Sequence, residues 1–168
     1  TMWVHKQAPQ TGWIAMFQHA DVSYNLHFND GNKPYFTIYD PDDGAYPDAQ
    51  GSSIENNRWY HLVGTFDADN SGLFSSEQIQ LYVDGSQEAE ECQRSSGFFS
   101  GCDSGEIAPT NEPAGIGENV DKPGRHLDGK IDEIRVYDRE LSANEVEGLD
   151  DVHTESTTCT NECKEGCS

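Results

Sequence analysis

From Trp59 to Gly85 the chain reads WYHLVGTFDADNSGLFSSEQIQLYVDG, and this stretch narrows the possible folds more than any other. In its second half Ile79, Leu81 and Val83 alternate with Gln78, Gln80 and Tyr82. A period of two puts one set on each face of a half-buried strand. Asp84-Gly85 follows, a pair that favours positive φ and marks a hairpin turn. In the first half Trp59 and Val63 fall on one face, and Tyr60, Leu62 and Phe66 on the other. A strand that is apolar on both faces belongs in the middle of a sheet.

The loop joining these strands carries Asp67, Asp69 and Ser71 at alternating positions, then Gly72. Calcium takes about six to eight oxygens, often from alternating loop positions with a glycine at the sharp turn. On that pattern Asp67, Asp69, Ser71, the Leu73 carbonyl and Glu77 are the metal ligands, completed by an acidic residue from another loop. The spacing departs from the pattern at its end. Gln78 stands where a bidentate Glu is expected, and Glu77 is one residue early. A plain acidic hairpin loop is the competing reading.

The rest of the chain reads as short strands between turns. Strands are expected over 1–6, 13–19, 24–28, 34–39 and 114–117. The polar segment 40–57 reads as a loop, and 86–110 as irregular. Over 126–138 the reading HLDGKIDEIRVYD is a long strand with a phase break. Ile131 and Ile134 lie three apart, so a β-bulge near Asp132-Glu133 is needed to turn both inward. Ser142 with Glu145 forms a capping box that opens one helix, with Val146 and Leu149 towards the core. Many short strands and one late helix make an antiparallel β-sandwich over 1–150, followed by a polar, Cys-rich tail over 151–168.

With 31 acidic against 10 basic residues the formal charge is −21. Such a chain repels phosphate backbones, which argues against nucleic-acid binding. No apolar run approaches the ~20 residues of a membrane span. The acidity reads as a solvated surface, as an adaptation to high salt or as a store of cation ligands. Cys92 and Cys102 enclose a short Ser/Gly-rich loop, which suits a local disulfide and an oxidising compartment. Cys159, Cys163 and Cys167 leave their pairing open, with zinc as the alternative.

The order WYHLVGTFD, IQLYVDG, AGIG and LDGKIDEIRVYDRELSANEVEGL resembles the laminin-G-like jelly rolls of the concanavalin A-like lectin/glucanase superfamily, over about residues 1–149. The resemblance implies a jelly roll that lacks its first strand, because Thr1–Val4 already matches the family's early Trp strand. The partner of the 129–138 strand would then lie upstream of Thr1, and something else must occupy that edge. Asp132 matches a position that is structural in the non-catalytic family, and neighbours on a regular strand point to opposite faces, so Asp132 and Glu133 read as a buried or salt-bridged pair near Arg135 or Arg139 rather than a glycosidase pair, although a bulge could relax that rule. His5, His19, His27 and His61 show no paired metal spacing, and no nucleophile motif is present. The three tryptophans are expected in the core.

The resemblance therefore implies a non-enzymatic, extracellular or cell-surface module, stiffened by Ca2+, that binds a glycan or an extracellular protein. Tyr39, Asp42, Asp43 and Tyr46, around the acidic loop, are the candidate ligand contacts. A structural repeat of a filament or appendage, self-assembling through an open sheet edge, is the alternative. A polysaccharide-active enzyme fragment is the third reading.

Overall fold

The computed structural model describes residues 1–20, 23–29, 32–41, 44–69, 78–91 and 107–156. Among them are ten strands: β1 (Met2–Lys6), β2 (Ile14–His19), β3 (Tyr24–Asn29), β4 (Lys33–Ile38), β5 (Asp48–Gln50), β6 (Trp59–Phe66), β7 (Ile79–Val83), β8 (Ser86–Glu91), β9 (Ala114–Ile116) and β10 (Gly129–Asp132). The helix α1 spans Ala143–Ser156. The strands form two five-stranded antiparallel sheets, ordered β10-β1-β6-β7-β8 and β5-β4-β3-β2-β9.

Period-two patterning builds the space between the sheets. Met2 and Val4 of β1, Tyr60 and Leu62 of β6, and Ile79 and Leu81 of β7 face Leu26 and Phe28 of β3 and Phe36 and Ile38 of β4. Each fully buried side chain of this kind contributes about 1.5–3 kcal/mol. β6 occupies the central place of its sheet, as its two apolar faces require. Its outer-face Val63, with Tyr82 of β7, packs under Leu141, Val146 and Leu149 in a second, smaller core. The Glu145 half of the capping box is in place, while the Ser142 hydroxyl donates to Glu145 Oε2 at 2.9 Å instead of accepting its N–H. Glu145 Oε2 accepts the Ser142 N–H at 2.9 Å, and Glu145 N–H donates to the Ser142 carbonyl at 3.0 Å. The helix runs on to Ser156, past the Asp150 boundary drawn from the sequence.

The expected bulge is present. β1 pairs β10 with Trp3 opposite Asp132 and Val4 opposite Ile131. Glu133 takes the left-handed conformation with φ 48°. Beyond it the ladder resumes through Thr1 and Arg135. Ile131 and Ile134 both pack against the main core.

Three expectations need correction. The segment 86–110 is not irregular throughout: Ser86–Glu91 is an edge strand paired to β7. The polar loop 40–57 contains β5, which adds the edge of the second sheet. The strand over 126–138 is regular only at Gly129–Asp132, because the bulge interrupts it. β10 pairs β1 on one side. On its other side no described strand pairs with it.

Candidate functional site

The loop after β4 is closed by backbone pairing. Ile38 N–H donates to the Pro47 carbonyl at 3.2 Å, and Asp40 N–H to the Ala45 carbonyl at 2.9 Å. Tyr39 N–H donates to the Ser23 carbonyl at 2.7 Å and ties the loop to the start of β3. Gly44 supplies the left-handed turn at φ 64°. This closure brings the Tyr39 and Tyr46 rings to 5.1 Å between centroids, tilted by 51°. Tyr46 is 49% exposed. Two tilted rings at a rim offer an apolar surface with hydroxyl groups at its margin, the chemistry that stacks on a sugar ring or an aromatic side chain. Asp42 and Asp43, between them, lie outside the described residues.

The second acidic loop leaves β6 at Phe66. Asp67 N–H donates to the Gln78 carbonyl at 2.9 Å and closes the base of the loop. Asp67 Oδ1 accepts the Asp69 N–H at 3.0 Å, an Asx turn that points this carboxylate into its own loop. Glu140, in the segment before α1, is close enough to feel its charge. Burial, and then the negative charge of Asp67, push the Glu140 carboxyl up from its ordinary value. Two like charges held together are the setting in which a hard cation gains most. Ser71, Leu73 and Glu77 lie outside the described residues, as do Cys92 and Cys102. Among the described residues no three His, Cys, Asp or Glu side chains converge on one metal position.

The tryptophans are not in the main core. Each meets a histidine on the outer face of a sheet. Trp3 stacks on His61 at 5.1 Å, Trp59 tilts against His5 at 5.4 Å, and Trp13 stacks on His27 at 3.4 Å. Periodicity had placed them in strands, but it cannot tell an inner face from an outer one that is covered locally. His27 is sandwiched further by Tyr35 at 5.1 Å, and Arg125 lies over Trp13 at 5.5 Å. Neither His27 nitrogen has a hydrogen-bond partner. Burial, with Arg125 second, lowers its pKa to about 3 and keeps the ring neutral. Asp132 and Glu133 are both exposed, and Glu133 bonds Arg135 at 2.9 Å.

Two facing antiparallel sheets with a capped helix on the outer face of one define a jelly-roll β-sandwich of the lectin-like kind. The Laminin_G_3 family, described as the concanavalin A-like lectin/glucanases superfamily, matches residues 1–147. The chain belongs to this superfamily, as a laminin-G-like domain, a kind commonly used as a binding module. A comparison with curated proteins finds no match. Among the described residues no helix is long and apolar enough to cross a membrane.

Proposed function

We propose that this domain is an extracellular binding or adhesion module that recognises a glycan or a neighbouring protein, with calcium stiffening one loop. The Tyr39–Tyr46 pair carries the proposal: a tilted aromatic couple at the sandwich rim, with Tyr46 half exposed. Calcium would be held by Asp67 and Asp69, with Ser71, the Leu73 carbonyl and Glu77 completing the set expected from the sequence. The neighbouring Glu140 supplies the acidic residue from another loop. An extracellular setting follows from a Cys92–Cys102 disulfide, which a non-reducing tryptic mass map would reveal.

A glycan array probed with and without EDTA, using wild type and Tyr46→Ala, tests the proposal. Binding to a restricted set of glycans, weakened in the variant, supports it. An array blank for wild type under both conditions turns the assignment towards a protein partner. Calorimetry of wild type against Asp69→Ala tests the metal, and identical calcium heats in the two proteins would remove it.

A structural repeat is the second reading, favoured by the outer side of β10. Gln7 N–H bonds the Asp128 carbonyl, so by antiparallel alternation the backbone groups of Gly129 and Ile131 point away from β1. A strand from a neighbouring molecule would pair there. Sedimentation showing a concentration-independent monomer would count against it.

A further inference from the structure

Between the sheets, at the end where β6 runs out at Phe66, the core is not filled. A cavity of about 310 Å3 lies there, walled by Phe17, Leu26, Phe36 and Phe66. That is near the lower end of the range of small-molecule sites, roughly 300–1,000 Å3. The Phe36 ring sits directly over Gly64, where a Cβ would come within 2.3 Å of it, so a glycine is what admits the ring. The segment 134–141 forms the remaining side, and Val136 stands 63% exposed on it. Water inside such walls finds few polar partners, so an apolar body is the better occupant.

The charge at the mouth selects among apolar bodies. Arg135 is bonded by Glu133 at 2.9 Å, and Arg139 by Glu145 at 2.6 Å while also facing Asp138. The Thr1 amino group donates to the Arg135 carbonyl. Asp138 and Glu140 line the mouth, and Asp67 stands next to Glu140. The lining itself sets Arg135 and Arg139 against Asp138 and Glu140, and each arginine is also paired with a carboxylate outside it, Glu133 and Glu145, on a chain whose formal charge is −21. With both arginines paired to carboxylates, the net field of the chain disfavours an anionic ligand. An organic cation meets attraction, with aromatic faces inside to receive it.

We propose that this cavity binds an organic cation, its aromatic or aliphatic body seated among Phe17, Leu26, Phe36 and Phe66 and its ammonium group between Glu140 and Asp138. The site is separate from the Tyr39–Tyr46 rim and does not depend on what that rim binds, but it shares Glu140 with the calcium set proposed above, so cation and calcium would compete there.

Three probes of similar shape test the proposal by ligand-observed NMR titration: phenethylammonium, phenylethanol and phenylpropionate. All titrations are run in EDTA, so the outcome is independent of calcium at the Asp67 loop. Wild type should prefer the ammonium over the carboxylate by more than about tenfold, as for one charge-assisted contact. Glu140→Gln should shrink that preference to less than about threefold. Val136→Trp changes an exposed residue and puts an indole across the mouth, so the fold should survive while all three probes weaken. Equal binding of cation and anion to wild type would overturn the proposal. So would undiminished phenethylammonium binding in Val136→Trp, with circular dichroism confirming that the variant is folded.

Discussion

The Thr1 amino group donates to the Arg135 carbonyl at 2.7 Å, and the Arg135 N–H donates back to the Thr1 carbonyl at 2.9 Å. Two residues along, Trp3 stands opposite Asp132, a register that would set Thr1 against Ile134. The chain therefore holds one extra residue on the β10 side. Glu133 absorbs it by turning left-handed, and Ile131 and Ile134 both reach the core as a result.

Glu133 should be sensitive to backbone chemistry rather than to charge. A β-branched residue resists a positive φ, which costs about 1–2 kcal/mol for an L-residue. Glu133→Ile should lower stability by about that much in urea unfolding. Glu133→Gly should be neutral or better, because the exposed ion pair to Arg135 that it removes is worth only about 0–1 kcal/mol. A Glu133→Ile protein as stable as wild type would show that this conformation is not needed.

Gly64 should tolerate no side chain. Overpacking a filled core typically costs about 1–3 kcal/mol. Gly64→Ala should lose stability in that range, and adding Phe36→Leu should recover part of it. A double-mutant cycle measures the coupling. Strict additivity would show that the Phe36 ring does not depend on Gly64.

His27 should oppose acid. Its folded pKa, about 3, lies below the ordinary histidine value of 6.5. A depressed value means that the unfolded chain takes up the proton first. The contribution is complete above pH 6.5 and is lost as pH falls towards 3. Each such proton tilts stability by at most about 1.4 kcal/mol per pH unit. His27→Phe keeps the stack between Trp13 and Tyr35, removes two buried nitrogens that lack partners, and should flatten the acid side of the profile. An NMR titration in which the His27 ring protonates near 6.5 in the folded protein would contradict this.

The start of α1 should weaken in acid by a different route. Arg139 first, then Ser142, hold the Glu145 carboxyl at about 2, below its ordinary 4.5. The stabilisation is therefore present above pH 4.5 and disappears as pH falls towards 2. Between pH about 5 and about 3 the melting temperature of wild type should fall more than that of Glu145→Gln. Ser142→Ala should cost about 1 kcal/mol at neutral pH. Parallel pH profiles for wild type and Glu145→Gln would refute the first expectation.

What was legible in the sequence was whatever repeats or is written locally. The alternation of Ile79, Leu81 and Val83 set the strand and its inner face. The three-residue gap from Ile131 to Ile134 demanded a bulge, and Ser142 with Glu145 marked the helix start. β8 was missed because Ser86–Glu91 carries polar residues on both faces and is held chiefly by backbone pairing at an edge. Lys6 follows Met2 and Val4 inward, where its ammonium reaches Asn32 Oδ1, a position that charge alone would have put outside. At the rim Tyr46 is exposed as its sequence setting suggested, while Tyr39 is half-buried. The Asp40–Ala45 bridge that joins them was not legible. Nor was Glu140 beside Asp67, because contacts between distant loops leave no periodic trace.

β1 is hydrogen-bonded on one side to β6 and on the other to β10, which the ribosome delivers 127 residues after β1 begins. At about 5–20 residues per second, that interval is roughly 6–25 s. During it the emerging chain holds Met2–Lys6 with one flank bare, beside a half-built sheet rich in apolar side chains. Arrival of β10 is what covers that flank. A stall or cleavage anywhere before Gly129 releases a species whose free flank can recruit other chains. The quality of a preparation should accordingly track the integrity of its C-terminal third.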